Sequence, residues 1–143
     1  WSRVMRINLD GAFYACRAAA PYLKKSGKNG RIINLSSQAA LNGTAHGVHY
    51  GASKAALLGL TYCLAKELGP DGITVNAILP GRIDTEMLAY ATPERRAQWL
   101  QSTPLGRFGD TADIAELAVF LASDKGGYIT GAKINVNGGL STG

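Results

Sequence analysis

Residues 31–54 read RIINLSSQAALNGTAHGVHYGASK, and the changes of character along this stretch decide the fold. RIINLSS (31–37) is a short β-branched run closed by two serines, the mark of a buried strand. QAALNGTAHGVH (38–49) is rich in small and turn-forming residues and reads as a loop. YGASK (50–54) opens an apolar helical run over 50–68 that Gly69 and Pro70 close. Strand, loop and helix in this order make half of a βαβ unit.

The same alternation continues outward. PDG (70–72) turns the chain into a second strand, ITVNAIL (73–79), which stops at Pro80-Gly81. A third strand is expected at AKINVNGG (132–139). Upstream, Val4, Ile7, Phe13, Cys16, Ala20 and Leu23 keep helical spacing, which predicts one long amphipathic helix over 1–25, bent late by Pro21. SGKNG (26–30) is a turn. Residues 82–109 are polar, irregular and partly helical, with Pro93 as the first residue of a short helix. Asp110 caps a further helix, DTADIAELAVFLAS. Asp113 stands where a capping box prefers glutamate, so the box is expected to be imperfect. The order α-β-α-β-α-β, with strands apolar on both faces, predicts an α/β fold: a parallel sheet flanked by helices and joined by right-handed crossovers. Ligands in such sheets bind past the carboxyl ends of the strands, here Ser36-Ser37, Pro80-Gly81 and Asn137-Gly138-Gly139.

Composition narrows the function classes. The chain has 143 residues, 46% of them hydrophobic and 17% charged, which suits one domain with a real core and argues against disorder. Its formal charge of +5 is spread over scattered residues such as Arg3, Arg6, Lys24, Lys25, Lys28, Arg31, Arg95 and Arg96, not gathered in a block. Such a spread reads as a solvated face, and no nucleic-acid partner is expected. Cys16 and Cys63 both fall in apolar helical patterns and read as small buried hydrophobes; their spacing suits no metal site. No apolar run is long enough to span a membrane, and the cysteine usage fits a reducing cytoplasm.

The polar residues form a constellation. Ser37 closes the first strand, Tyr50 follows thirteen residues later, and Lys54 lies one helical turn beyond Tyr50 on the same face. An ammonium beside a phenol favours the phenolate, so this pair is a candidate for acid–base work. Standing alone, Tyr50 would be a half-buried aromatic at a helix start. Asn8 interrupts an apolar stretch of the first helix and fits either a catalytic role or a satisfied core amide. Ser36 and Asn76 read as structural, His46 and His49 as solvated loop residues, and Arg107 with Asp110 or Asp113 as a structural ion pair.

These motifs together resemble the short-chain dehydrogenase/reductase family. NLDGAF (8–13), the serine thirteen residues before Tyr-x-x-x-Lys, VNAILPGRIDTEM (75–87) and residues 103–139 match its pattern in the right order over essentially the whole chain. The tail is similar to that of 3-oxoacyl-carrier-protein reductases and of glucose or sugar-alcohol dehydrogenases. The resemblance implies the C-terminal part of a doubly wound Rossmann fold and an oxidoreductase that moves a hydride between NAD or NADP and a secondary alcohol or ketone. Tyr50 would be the proton donor or acceptor, and Ser37 would bind the substrate oxygen. Lys54 would support Tyr50 and bind the nicotinamide ribose, and Asn8 would hold a water behind the lysine. Pro80 and Gly81 would let the chain pass close to the cofactor ring. Ile83 and Thr85 would hold the nicotinamide carboxamide. Residues 84–102 would form the substrate lid, with Met87, Leu88, Tyr90 and Trp99 lining an apolar pocket for a 3-oxoacyl thioester or, second, a sugar.

The resemblance also implies an N-terminal phosphate-binding part, with its glycine-rich turn and the residue that selects NAD or NADP, outside these residues. The chain opens without methionine and inside a helical pattern, as expected of part of a longer protein. On its own it is expected to be poorly folded and inactive, which leaves a dimerisation or structural module as the rival reading. Helices 1–25 and 50–68 would pack against their copies in a homotetramer, their close approach allowed by Ala18, Ala52, Ala55, Ala56 and Gly59.

Overall fold

The computed structural model describes residues 1–27 and 29–142, and of Met87 the backbone alone. Three strands form the sheet: β1 (Arg31–Leu35), β2 (Thr74–Pro80) and β3 (Lys133–Val136). They lie side by side in chain order, all parallel. Arg31 pairs with Thr74 and Leu35 with Ile78, while Ala77 pairs with Lys133 and Pro80 with Val136. Each strand is shorter at its carboxyl end than the sequence suggests or stops at a turn residue. Ser36 and Ser37 therefore stand beyond β1, free for other work.

Helices cover both faces, as in doubly wound sheets. The first helical stretch comprises α1 (Ser2–Met5), a wide π turn (Arg6–Asp10) and α2 (Gly11–Lys25). The irregularity of the expected 1–25 helix thus falls at Arg6–Asp10, where the Gly11 amide bonds the Arg6 carbonyl five residues back. Pro21 lies inside α2. The expected loop at 38–49 contains α3 (Ala39–Asn42), started by the Ser37 hydroxyl, which accepts from the Ala39 amide at 3.1 Å. The long helix α4 runs Val48–Leu68, so His49 lies in its first turn and only His46 stays in the loop. The lid region holds α5 (Glu86–Ala89) and α6 (Pro93–Gln101), and α7 (Thr111–Ala122) follows.

One sheet face buries Ile32, Val75, Ala77 and Leu79 against Ala20 and Leu23 of α2 and Leu58, Leu64, Ala65 and Leu68 of α4. Strand alternation sends Ile33, Asn76 and Ile78 to the opposite face, and α7 packs against β1 and β2. β2 is the centre: Val75, Asn76, Ala77, Ile78 and Leu79 have no exposed surface. Two amides pin it. Asn76 donates to the Ile129 carbonyl at 2.7 Å and accepts from the Ala132 amide at 3.0 Å, which places the loop before β3. Asn34 of β1 donates to the Thr61 hydroxyl of α4 at 2.9 Å. At Gly81 a Cβ would come within 2.6 Å of the Asn137 Cα, so a side chain there would force the ends of β2 and β3 apart. Within the chain, the close neighbour of Gly81 is Asn137.

The cysteines divide. Cys16 is buried, and burial pushes its thiol above the ordinary value. Cys63 is exposed, contrary to the sequence reading, because it shares a strip of α4 with exposed Gly59 and Glu67 one turn away on either side. The cap of α7 is complete despite the shorter acid: Asp110 accepts from the Ala112 amide at 2.9 Å, and Asp113 accepts from the Asp110 amide at 2.8 Å. Arg107 closes the arrangement with an ion pair to Asp113 at 2.8 Å.

Two measurements check this frame. Asn76→Ala leaves the half-buried Ile129 carbonyl and Ala132 amide without these partners and is expected to lower stability by about 2 kcal/mol, read from urea unfolding. The Arg107 hydrogen bond, then the Asp110 amide, pulls the Asp113 carboxyl down to about 2. Its contribution to stability is therefore present above the ordinary value of 3.8 and is lost as pH falls through about 2. Asp113→Asn should unfold more easily than the native protein at pH 5 by circular dichroism, with the gap closing toward pH 2.

Candidate active site

The carboxyl end of β1 and the first turns of α4 face each other, and side chains stitch them together. The Lys54 ammonium donates to the Leu35 carbonyl at 2.8 Å. In return, the Ser36 hydroxyl donates to the Lys54 carbonyl at 2.7 Å, which gives Ser36 the structural role read from sequence. Ser37 is buried one residue further on. A hydroxyl has one donor and two acceptor lone pairs. The Ala39 amide occupies one lone pair of Ser37, so its O–H remains able to donate toward a bound oxygen.

Tyr50 stands at the start of α4, 39% exposed. One helical turn on, the Lys54 nitrogen lies 5.8 Å from the centre of its ring. Burial pushes the Lys54 ammonium below the ordinary lysine value. An ammonium has three donors, and Leu35 takes one, so two remain for a hydroxyl-bearing ligand or a phenolate.

Asn8 reaches this cluster from the π turn. Its amide donates to the Ser53 hydroxyl at 3.0 Å, and Ser53 donates to the Tyr50 carbonyl at 2.8 Å. Ser53 is fully buried and links the first helical stretch to the turn of α4 that carries Tyr50. Sequence reasoning passed over Ser53. Its one signal is a hydroxyl among alanines and glycines near the start of α4. The wide turn at Arg6–Asp10 offered no signal in composition or spacing.

Past β2, the chain makes a second sheet-like contact, a bridge between Ile83 and Gly109. The bridge uses the Arg82 carbonyl, bonded by the Gly109 amide at 2.9 Å, and the Asp84 amide, which donates to the Gly109 carbonyl at 2.8 Å. In a parallel bridge this pattern turns the amide and carbonyl of Ile83 away from Gly109. Thr85 lies two residues on at the start of α5, its hydroxyl donating to the Ile83 carbonyl at 3.4 Å. A cavity of about 320 Å³ opens next to them, lined by Arg82, Ile83, Thr103, Leu105, Asn137 and Gly138 among others. The expected apolar lid pocket takes a different form. Tyr90 is 91% exposed, and Trp99 sits between arginines, with the Arg82 and Arg95 guanidiniums 5.4 and 5.3 Å from its ring centre. The Met87 side chain lies outside the described residues.

A family model described as enoyl-(acyl carrier protein) reductase matches residues 1–141. The chain belongs to the short-chain dehydrogenase/reductase family. It is 48% identical over 140 residues to an L-rhamnose-1-dehydrogenase of Scheffersomyces stipitis, covering 96% of this chain and 54% of that protein. It is 44% identical over 140 residues to a (3R)-3-hydroxyacyl-CoA dehydrogenase of Rattus norvegicus, covering 98% of this chain and again 54% of the relative. A solved structure from Agrobacterium tumefaciens, proposed to be a 2-deoxy-d-gluconate 3-dehydrogenase and holding bound NADP, superposes with a TM-score of 0.92 at 39% identity. It covers 98% of this chain and 58% of that one. The chain therefore spans about half the length of the proteins it matches. Among the described residues no group of histidine, cysteine and carboxylates is placed to hold a metal ion, and no helix is long and apolar enough to cross a membrane.

The lysines offer a direct check on the site. Burial lowers Lys54, whereas the hydrogen bond and ion pair with Asp71 at 2.9 Å raise Lys24. Carbon-13 spectra of the reductively methylated protein should show Lys54 losing its proton at a lower pH than Lys24. The reverse order would mean that Lys54 is solvated.

Proposed function

We propose that these residues form the catalytic part of an oxidoreductase that moves a hydride between NAD or NADP and a secondary alcohol or its ketone. The observation that carries the reading is the Tyr50–Lys54 pair, fixed by the Lys54 bond to the Leu35 carbonyl within two residues of Ser37. In the reducing direction, ketone, NAD(P)H and a proton give alcohol and NAD(P)⁺. The nicotinamide supplies the hydride when bound. Ser37 donates its O–H to the substrate carbonyl and holds the charge that develops on oxygen. Tyr50 transfers its phenolic proton to that oxygen as it becomes an alcohol. Lys54 keeps the phenolate that remains favourable and directs its free donors to the ribose. Asn8, through Ser53, sets the turn of α4 from which Tyr50 projects, and it is the residue to hold a water behind Lys54. Pro80, Gly81, Ile83 and Thr85 line the nicotinamide side. NADP in the Agrobacterium structure supports the cofactor class.

The substrate read first is a 3-oxoacyl thioester and second a sugar; one relative's name carries a hydroxyacyl-CoA and another's a sugar. The phosphate-binding part of the domain is read as lying outside these 143 residues, in keeping with their coverage of about half of each relative. A homotetramer built on the long helices is the expected assembly. Its support is α4, which leaves Ala55, Gly59, Tyr62 and Cys63 exposed. The same exposed strip favours, as a second reading, a packing module without turnover.

Turnover separates the two. Oxidation of NADH and NADPH with a 3-oxoacyl thioester and with ketoses, followed at the nicotinamide absorbance, should be detectable for the full-length native protein and absent for residues 1–143 alone. Tyr50→Phe should reduce it by about three orders of magnitude, as expected for loss of a positioned acid. Unchanged turnover in Tyr50→Phe would overturn the assignment.

A further inference from the structure

Of the expected lid, 84–102, the helical part over 86–102 leaves the loop past β2 and returns to it, and two arginines cross the gap in opposite directions. Arg82 belongs to the loop, directly before Ile83. Its guanidinium lies 5.4 Å from the Trp99 ring centre and donates to the Ser102 hydroxyl at 3.0 Å and the Trp99 carbonyl at 3.3 Å. All these partners sit at the end of α6. Arg96 belongs to α6 and reaches back. It donates to the Asp84 carboxylate at 3.1 Å and to the Leu88 carbonyl at the end of α5 at 3.2 Å. Its guanidinium also lies 4.7 Å from the Phe108 ring centre, one residue before the Ile83–Gly109 bridge.

We infer that Arg82 and Arg96 are positioning residues that fasten the lid to the loop of Ile83 and Thr85, so that lid and loop move as one body. Only a planar fork with several donors can satisfy a carboxylate, a carbonyl and a ring face together; a lysine ammonium is a single point charge. Arg96 alone joins four separate pieces of chain: the loop, α5, α6 and the return segment. Without it, α6 keeps its own proline start and its Thr92 cap, which accepts from the Arg95 amide at 3.3 Å. The lid would stay helical yet be held only at the end of α6, by Arg82. The inference rests on the functional reading above in one respect, that the loop of Ile83 and Thr85 is the cofactor loop. The fastening itself is a matter of geometry.

Chymotrypsin tests it on the native protein. Tyr90, between α5 and α6, and Tyr128, in the loop before β3, are both almost fully exposed. Cleavage after Tyr90 reports on the lid, and cleavage after Tyr128 serves as the internal control for general loosening. In Arg96→Met the ratio of Tyr90 to Tyr128 cleavage should rise about fivefold, the size expected for a half-exposed ion pair with a ring contact; in Asp84→Asn it should rise by less, because Arg96 keeps the Leu88 carbonyl and the Phe108 ring. The double variant should rise no further than Arg96→Met alone, since the Asp84 contact is already lost there. Arg96→Lys should fall between native and Arg96→Met. In turnover assays, Arg96→Met should raise KM for the ketone about fivefold while kcat at saturation holds, whereas a loss of folded protein lowers kcat and leaves KM alone. An unchanged cleavage ratio, or parallel rises at both tyrosines, overturns the inference. A native protein that oxidises no NADH or NADPH removes the functional reading instead and leaves the cleavage ratio to decide the fastening.

Discussion

The Lys54 ammonium ends on the carbonyl of Leu35, the last residue of β1, and the arrangement of the site depends on that contact. A helix start and a strand end are joined there by a charged donor on a backbone acceptor, a bond stronger than one between neutral groups. The Ser36 hydroxyl answers it in the other direction, bonding the Lys54 carbonyl. Two bonds running opposite ways between the same short segments leave α4 little freedom to slide along the strand. Ser37 and Tyr50 inherit their placement from this pair. The partial burial that shifts the Lys54 ammonium comes from the same packing, so the chemistry and the architecture share one cause.

Behind this contact stands a sheet whose middle strand is wholly enclosed. β2 has apolar neighbours on both faces, yet it carries Asn76 at its centre. A buried amide is tolerable only when its donors and acceptor find partners, and here they find the loop that leads into β3. The polar residue therefore fixes the path of the connection rather than the strength of the core. Asn34 and Thr61 do the same between β1 and α4.

The order of elements and the motif spacing were legible because they depend on local periodicity. Strands of five, seven and four residues and helices with clear caps or breakers leave their mark on the residues that form them. Tyr50 and Lys54 were legible as a pair because one helical turn separates them, and the Lys54 nitrogen lies 5.8 Å from the Tyr50 ring centre. What stayed hidden depends on partners distant in sequence. Ser53 matters through Asn8, forty-five residues away. The wide turn at Arg6–Asp10 follows no composition rule. Cys63 looks like a core residue until the rotation of α4 is known. Arg82 and Arg96 look like solubilising charges until Trp99 and Phe108 are seen beneath them.

The bridge between Ile83 and Gly109 has a consequence for how such a protein diversifies. The excursion that contains the lid starts and finishes at one point on the rigid frame, because its two ends are bonded to each other. The sheet does not register how long the chain between them is. Doubling the length of a closed loop costs only about 0.6 kcal/mol in chain entropy. Insertions, deletions and wholesale exchange of this segment are therefore cheap for the fold, while the strand ends that carry Ser37, Pro80 and Gly81 stay where they are. One scaffold can accept new substrates by changing a segment that contributes almost nothing to holding it together.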